Sequence, residues 1–563
     1  MNQKGRGLIQ LNDVRQKQQC LRSLYTVGII CRYGVETIEA SEKTSGITMD
    51  MLLVTYVDFL QCGSSMEIKQ KALQGCGSIF VVRPSVMLHK CFSTMLRVTL
   101  RLDSDRAIKL QSLRNIHDFL NHEEEKLDEA ANEVLTANTG VEIAAAGGAN
   151  NLQNASGEGD ASLAGTIIQK YWPSLLTLLA DKQTDIRVHT LGIVEIAYRQ
   201  GLVHPMSCIA RLISLQVDPE MQVFSIADRI LKQVASRYPD FLDTCIGDGL
   251  NLSYHLQIQL KAEPHFPATK ASLVGMGRFY KIMREQKTKR QKFLTLLLKP
   301  MLKDPHSSVA QVGIQQFTFN AEVLGSLPYQ WQEEPLFCIN DISSHINLRA
   351  SVLLAALKTA CAKEGALARA IAEGSIDLLQ IQESSGVQDN PKSPGGSIQS
   401  QALTAIRNCR EAACFCVLFV LKRHLKVLYG LSDTRCAAYI STAPKQTEVG
   451  QVDNLSRIDF SEMSSVIDES DVIDSLESIS LRYKLMKKLL AEEGEDFDAS
   501  KSQNRSKKRS KSLEEAGEVT TITGDDSEQR IRAKQRSQSV SVKPRRVCAF
   551  ISRWAPVVDQ PYV

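Results

Sequence analysis

Seven cations lie between positions 278 and 292: Arg278, Lys281, Arg284, Lys287, Lys289, Arg290 and Lys292, with Glu285 as the one acid among them. Cations at this density bind a phosphate backbone by displacing its condensed counterions, and they do so without reading base sequence. Phe279, Tyr280, Ile282, Phe293 and Leu294 are interleaved with them, an apolar support at the junction of two helices. An ordinary solvated turn is the plain alternative. A second cluster lies far downstream, where thirteen Lys and Arg meet six Asp and Glu between 501 and 546, a local charge of +7. Arg505, Lys507, Lys508, Arg509 and Lys511 form its first block, and Lys543, Arg545 and Arg546 its last. The first reading of this tail is a nuclear-import signal; a nonspecific DNA arm and a solubilising tail stay open beside it. Ser512 and Ser539 follow cations closely, so phosphate on either would cancel charge and weaken such a contact.

Signals for catalysis are missing. Nowhere does the spacing of a P-loop occur, nor a G-x-S-x-G elbow, nor H-E-x-x-H. The GMGRFY stretch at Gly275 has no strand before it and no third glycine, so it is not a dinucleotide turn. The 10 histidines are dispersed, and His89, His117, His189, His204 and His424 read as surface or capping residues. The 14 cysteines show no CxxC pair and read as reduced core residues in an intracellular protein. No enzyme activity, metal or cofactor is expected.

The elements that must position the cations are helices. The chain has 563 residues, 43% of them hydrophobic, with 67 Lys and Arg against 63 Asp and Glu. Charge so nearly balanced means that any nucleic-acid contact must come from a local patch. The start has no apolar core of a signal peptide, and the longest apolar run, Ala412 to Leu421, is too short to cross a bilayer. From Asp185 to Pro239 three amphipathic helices follow one another. Ile186, Leu191, Ile193, Val194 and Ala197 stripe the first, with Asp185 suited to cap it and Gly201 to end it. Ile209, Leu212 and Ile213 stripe the second. Asp218-Pro219-Glu220 reads as cap, first-turn proline and dipole-facing acid for the third, whose stripe is Val223, Ile226, Ala227, Ile230, Leu231 and Val234.

Helices with one apolar stripe must stack on others of the same kind. Offsets of 0, 5 and 8 recur at Ile68, Leu73, Cys76; Ile108, Leu113, Ile116; Ile186, Leu191, Val194; and Val309, Ile314, Phe317. Spacings of about 40 residues between units are those of paired-helix HEAT repeats. The expected fold is therefore all-α, a HEAT-repeat α-solenoid. Repeats are expected over 1–120 and 164–435, around an insertion at 121–163 that begins as an acidic helix and ends as a mobile Gly-rich loop. Further helices are expected at 271–285, 291–302, 308–324, 347–362 and 401–428. Residues 436–563 read as a mostly disordered basic tail with one amphipathic helix near 473–490.

Four stretches carry a family resemblance: LRSLYTVGIICRY (21–33), QGLVHPMSCIARLI (200–213) with DPE after it, YQWQEEPLF (329–337) and LKRHLKVLYGLSDTR (421–435). Over roughly 20–435 the chain resembles the C-terminal part of the Nipped-B family, the large subunit of the cohesin loader. The resemblance implies a curved HEAT-repeat hook that grips double-stranded DNA and the cohesin ring of SMC and kleisin subunits. It implies a nuclear, chromatin-bound protein that stimulates cohesin's ATPase without hydrolysing ATP itself, and it favours DNA contact at 278–292. The resemblance begins inside the family's repeat region, so the small helical-repeat partner of the loader is not expected to bind here. Another HEAT scaffold, of the transport-receptor or phosphatase type, is the alternative.

Overall fold

A computed structural model describes residues 14–62, 65–137, 158–260, 268–285, 287–302, 313–362, 365–373, 378, 396–439, 447–450, 456–468, 473 and 475–493. Its helices begin with α1 (Val14–Tyr33), α2 (Val35–Ser45), α3 (Met49–Cys62), α4 (Met66–Val82), α5 (Lys90–Thr99) and α6 (Arg106–Ala137). Next come α7 (Glu158–Leu178), α8 (Thr184–Arg199), α9 (Met206–Ser214), α10 (Met221–Arg237) and α11 (Pro239–Leu260). Then follow α12 (Lys270–Met283), α13 (Lys287–Leu298), α14 (Ile314–Ser326), α15 (Glu333–Ala360) and α16 (Ala366–Ala372). The last are α17 (Gly396–Leu428), α18 (Asp433–Ala437), α19 (Ser464–Asp468) and α20 (476–493).

These helices stack in two layers. In one, α1, α4, α6, α8, α10, α12 and α14 each touch the next, and α14 passes the contact to α17. In the other, α9, α11, α13 and α15 follow in turn, while α3, α5 and α7 back α4, α6 and α8. The architecture is the HEAT-type α-solenoid expected from the register. Every described member of the four triplets is buried, from Ile68 at 0% exposure to Ile108 at 7%; Val309 lies outside the described residues. Burying such stripes on one another is what a lone amphipathic helix cannot do. Gly201 ends α8 at φ +69° and Gly430 follows α17 at φ +57°, left-handed exits that a side chain would strain.

The expected caps are wrong. α8 starts at Thr184 with Gln183 at its cap position, and α10 starts at Met221 after Glu220, neither with a side-chain cap bond. Asp218 is buried instead, and Arg187 donates to it twice, at 2.7 and 3.1 Å. Arg187 also donates to the carbonyls of Asp181 and Lys182. One unit earlier Lys109 donates to buried Asp181 at 2.6 Å. Each cation stands directly after the first member of a triplet and reaches the acid in the turn before the next first-layer helix. Each acid also accepts locally, Asp181 from the Gln183 N–H and Asp218 from the Glu220 N–H, both at 2.9 Å, so one carboxylate closes its turn and neutralises the buried cation of the preceding unit.

Other differences follow from packing. α6 runs unbroken through the acidic segment after residue 120, and α15 begins at Glu333 rather than near 347. Part of the segment read as disordered after 435 is packed, with Ile458, Met463, Val466 and Ile467 buried, and the expected amphipathic helix buries Ile473, Ile479, Met486 and Leu489. Residues 447–449 pair with 330–332, where the Gln332 N–H donates to the Thr447 carbonyl and that of Val449 to Gln330, both at 2.9 Å. The Gly-rich part of the insertion (138–157) and the whole tail from 501 lie outside the described residues. Among the described residues no helix is long and apolar enough to cross a membrane.

Candidate nucleic-acid interface

α12 and α13 bring all seven cations of 278–292 to one junction, on the expected support: Phe279, Tyr280, Phe293 and Leu294 are buried and Ile282 is half-buried. Thr269 caps α12 by accepting from the Ser272 N–H at 3.1 Å. The helix lies close against the 3-10 turn Leu215–Val217 because position 275 is glycine; a Cβ there would stand 1.9 Å from the Gln216 carbonyl oxygen. Arg278, on the next turn, donates to that same carbonyl at 3.0 Å and lays its guanidinium 3.8 Å from the Phe224 ring centre. Burial lowers its pKa from the usual guanidinium value, and nearby Asp228 opposes the shift. So the first of the seven cations is fixed by the fold.

Four more have partners within the chain. Arg284 donates to the Pro328 carbonyl at 2.8 Å, and Lys287 stands 3.3 Å from Glu333. Lys292 meets buried Asp243 at 2.7 Å, and the hydrogen bond to that carboxylate raises the lysine's pKa. Arg290 is itself buried, 2.9 Å from Glu334, and donates to the Arg284 carbonyl. Burial pushes the Glu334 carboxyl up, against the opposing pull of the Gln330 and Trp331 N–H groups and of Arg290. Removing either partner of a pair this dry strands a charge.

Lys281 and Lys289 are different, for neither has an ion-pair partner among the described residues. Both line a groove of about 540 Å³ between α10 and the α12–α13 junction. Lys232 joins them from α10, 2.7 Å from Asp228, while Glu285 supplies a second acid. The sequence pattern does not mark Lys232, because an acid and a lysine four residues apart look like any solvated helix face. By its cations the groove can hold a phosphate-bearing strand. Among the described residues no group of three or more His, Cys, Asp or Glu could hold a metal ion. The second set of candidate residues, Arg505, Lys507, Lys508, Arg509, Lys511, Ser512, Ser539, Lys543, Arg545 and Arg546, lies outside the described residues.

Known proteins resemble this chain along most of its length. Residues 164–345, which contain the whole basic junction, match the Nipped-B family described as sister chromatid cohesion C-terminus. The mouse Nipped-B-like protein is 24% identical over 532 residues, 88% of this chain and 18% of that protein. Nipped-B of Drosophila melanogaster is 24% identical over 445 residues, 76% of this chain and 20% of that protein. Among solved structures, the C-terminal fragment of the Chaetomium thermophilum cohesin loader SCC2 superposes with a TM-score of 0.57 at 12% identity, covering 86% of this chain and 30% of that one. That likeness speaks for the fold. The chain spans about a fifth of the length of these curated relatives.

Proposed function

We propose that this chain, similar over most of its length to the C-terminal part of Nipped-B proteins, is a nonenzymatic chromatin scaffold that binds cohesin and DNA and promotes cohesin loading in sister chromatid cohesion. The observation that carries the reading is the continuity of that similarity, which runs through the stacked layers rather than resting on one motif. A scaffold of this kind acts by binding one state of its partner better than another, and so biases the partner's nucleotide cycle without a reaction centre of its own. DNA meets the groove of Lys232, Lys281 and Lys289, and contact by charge alone makes the affinity steeply salt-dependent.

The direct test is ATP turnover by purified cohesin, measured with and without this chain on duplex DNA. Stimulation by the chain is expected; no change with cohesin, or ATP hydrolysis by the chain alone, overturns the reading. A titration of duplex binding from low to high salt checks the DNA contact, and a flat response removes it. For the tail, a fluorescent fusion of residues 501–546 is expected in the nucleus, and neutral substitution of the cations from Arg505 to Lys511 is expected to release it to the cytoplasm.

A further inference from the structure

A second groove, of about 640 Å³, opens along the first layer at the other end of the described residues, between α1 and α8. One wall is a ridge on α1: Tyr25, Ile29 and Tyr33 lie at i, i+4 and i+8 and are 47%, 39% and 75% exposed. Its floor is built from glycine. A Cβ on Gly28 would come 3.3 Å from the Gly75 Cα, and one on Gly75 would stand 2.1 Å from the Tyr56 ring, so α1 and α4 touch through their backbones. Gly77 is filled by Asn115 of α6 in the same way. The far end is closed by His117 and His189 on α6 and α8.

Charge on the rim is mostly positive. Lys71 lies 5.0 Å from the Tyr25 ring centre, Arg32 lies 5.5 Å from that of Tyr33, and Arg114 is exposed on α6. Asp118 is the one acid lining the groove, 4.0 Å from Arg32. The chain itself shows what fits such a seat. Its segment 456–468 lies on α14 and α17 with Ile458 against Gly325, at 2.9 Å from where a Cβ there would be. Met463, Val466 and Ile467 are its buried anchors, and Glu462 faces Arg423 at 4.0 Å and Lys488 at 3.6 Å. There a glycine contact, apolar anchors and an acid facing cations come together; the α1–α8 groove presents a glycine floor, an apolar ridge and rim cations that would receive a segment of the same kind.

We propose that the α1–α8 groove docks a linear segment of a partner protein in which apolar anchors alternate with acidic residues. Charge complementarity selects the acids, the Tyr25–Ile29–Tyr33 ridge and glycine floor take the anchors, and the three rim cations are too few and too apolar in their setting to suit a duplex. The proposal is independent of the DNA reading, which uses α10–α13.

The test is a selection of random dodecamer peptides against the full chain, repeated with Tyr33→Ser and with Arg114→Glu. Both positions are exposed, so the unfolding midpoint of each variant is expected to match the wild type. Enrichment of peptides mixing acids with Ile, Leu, Met or Phe is expected, and a labelled representative is expected to bind each variant at least tenfold more weakly. Enrichment of basic peptides, or of peptides that bind both variants as well as the wild type, overturns the proposal. So does loss of 30-base-pair duplex affinity in the same variants, which would make the groove a nucleic-acid surface. Should either variant unfold early, Ile29→Gln on the same ridge supplies the replacement measurement.

Discussion

Between α10 and α13 the groove is lined by lysines; between α1 and α8 it is walled by tyrosine and isoleucine and floored by glycine. Both border the first layer of helices, the former reaching α11 and α13 of the second, and both come from the same stacking of one apolar stripe on the next. What differs is how the cations are spent. At the basic junction five of seven are tied to carbonyls or acids of the chain, so sequence density overstates the charge offered to a ligand. At the α1–α8 groove the cations are fewer, and Lys71 and Arg32 sit against aromatic rings, where they also orient the ridge. A cluster of basic residues is therefore one thing in a sequence and two in a fold: structural pairs and free hands.

The sharpest way to break that division is Arg290→Glu. With Glu334 buried beside it, the change is expected to cost about 3–5 kcal/mol, read as a fall in the denaturation midpoint, as for any dry pair broken on one side. An unchanged midpoint would put Arg290 among the free cations. Asp218→Ala tests the buried Arg187–Asp218 pair and is expected to cost a similar amount, about 3–5 kcal/mol, because it leaves the Arg187 charge without its acid. Somewhat smaller is Gly75→Ala, expected to cost about 1–3 kcal/mol by driving the Tyr56 ring away and parting α1 from α4. Lys281→Glu combined with Lys289→Glu is expected to leave the midpoint where it is. Duplex affinity should fall about tenfold, with the slope of log affinity on log salt shallower by roughly 1.8. If the midpoint drops instead, these lysines are structural too.

The smallest effect is that of pH. Burial lowers the pKa of His117, His345 and His424 from the ordinary 6.5. The unfolded chain then binds protons that the folded chain refuses, so stability is fully present above pH 6.5 and declines as pH falls through 6.5 toward the folded values. Denaturation midpoints at pH 7.5, 6.5 and 5.5 are expected to fall in that order. Replacing His117 by Gln should flatten the curve in part, since the other two histidines lie elsewhere.

Much of the helical framework is legible in the sequence. Triplets such as Ile186, Leu191 and Val194 announce a buried stripe because α-helical periodicity is a local property, and Gly201 and Gly430 announce stops because only their backbones take a left-handed exit freely. Asp218 shows where local reading ends. Its place before Pro219 and Glu220 has the chemistry of a local turn acceptor, and it does accept from the Glu220 N–H, but its second partner is Arg187, thirty-one residues earlier. Lys109 and Arg187 carry a visible sign, a cation directly after the first triplet member, but their partners are found only across units.

The sequence by itself determined that the chain forms stacked amphipathic helices, that it resembles cohesin-loader proteins, and that its cations gather at 278–292. Only the tertiary structure decided which of those cations are free, that residues 456–468 and 475–493 belong to the packed body, and that a glycine floor holds open a second groove. The reason is range: helix register depends on neighbours within a few residues, whereas the availability of a charge depends on whichever carbonyl or carboxylate the fold brings within about 3 Å of it.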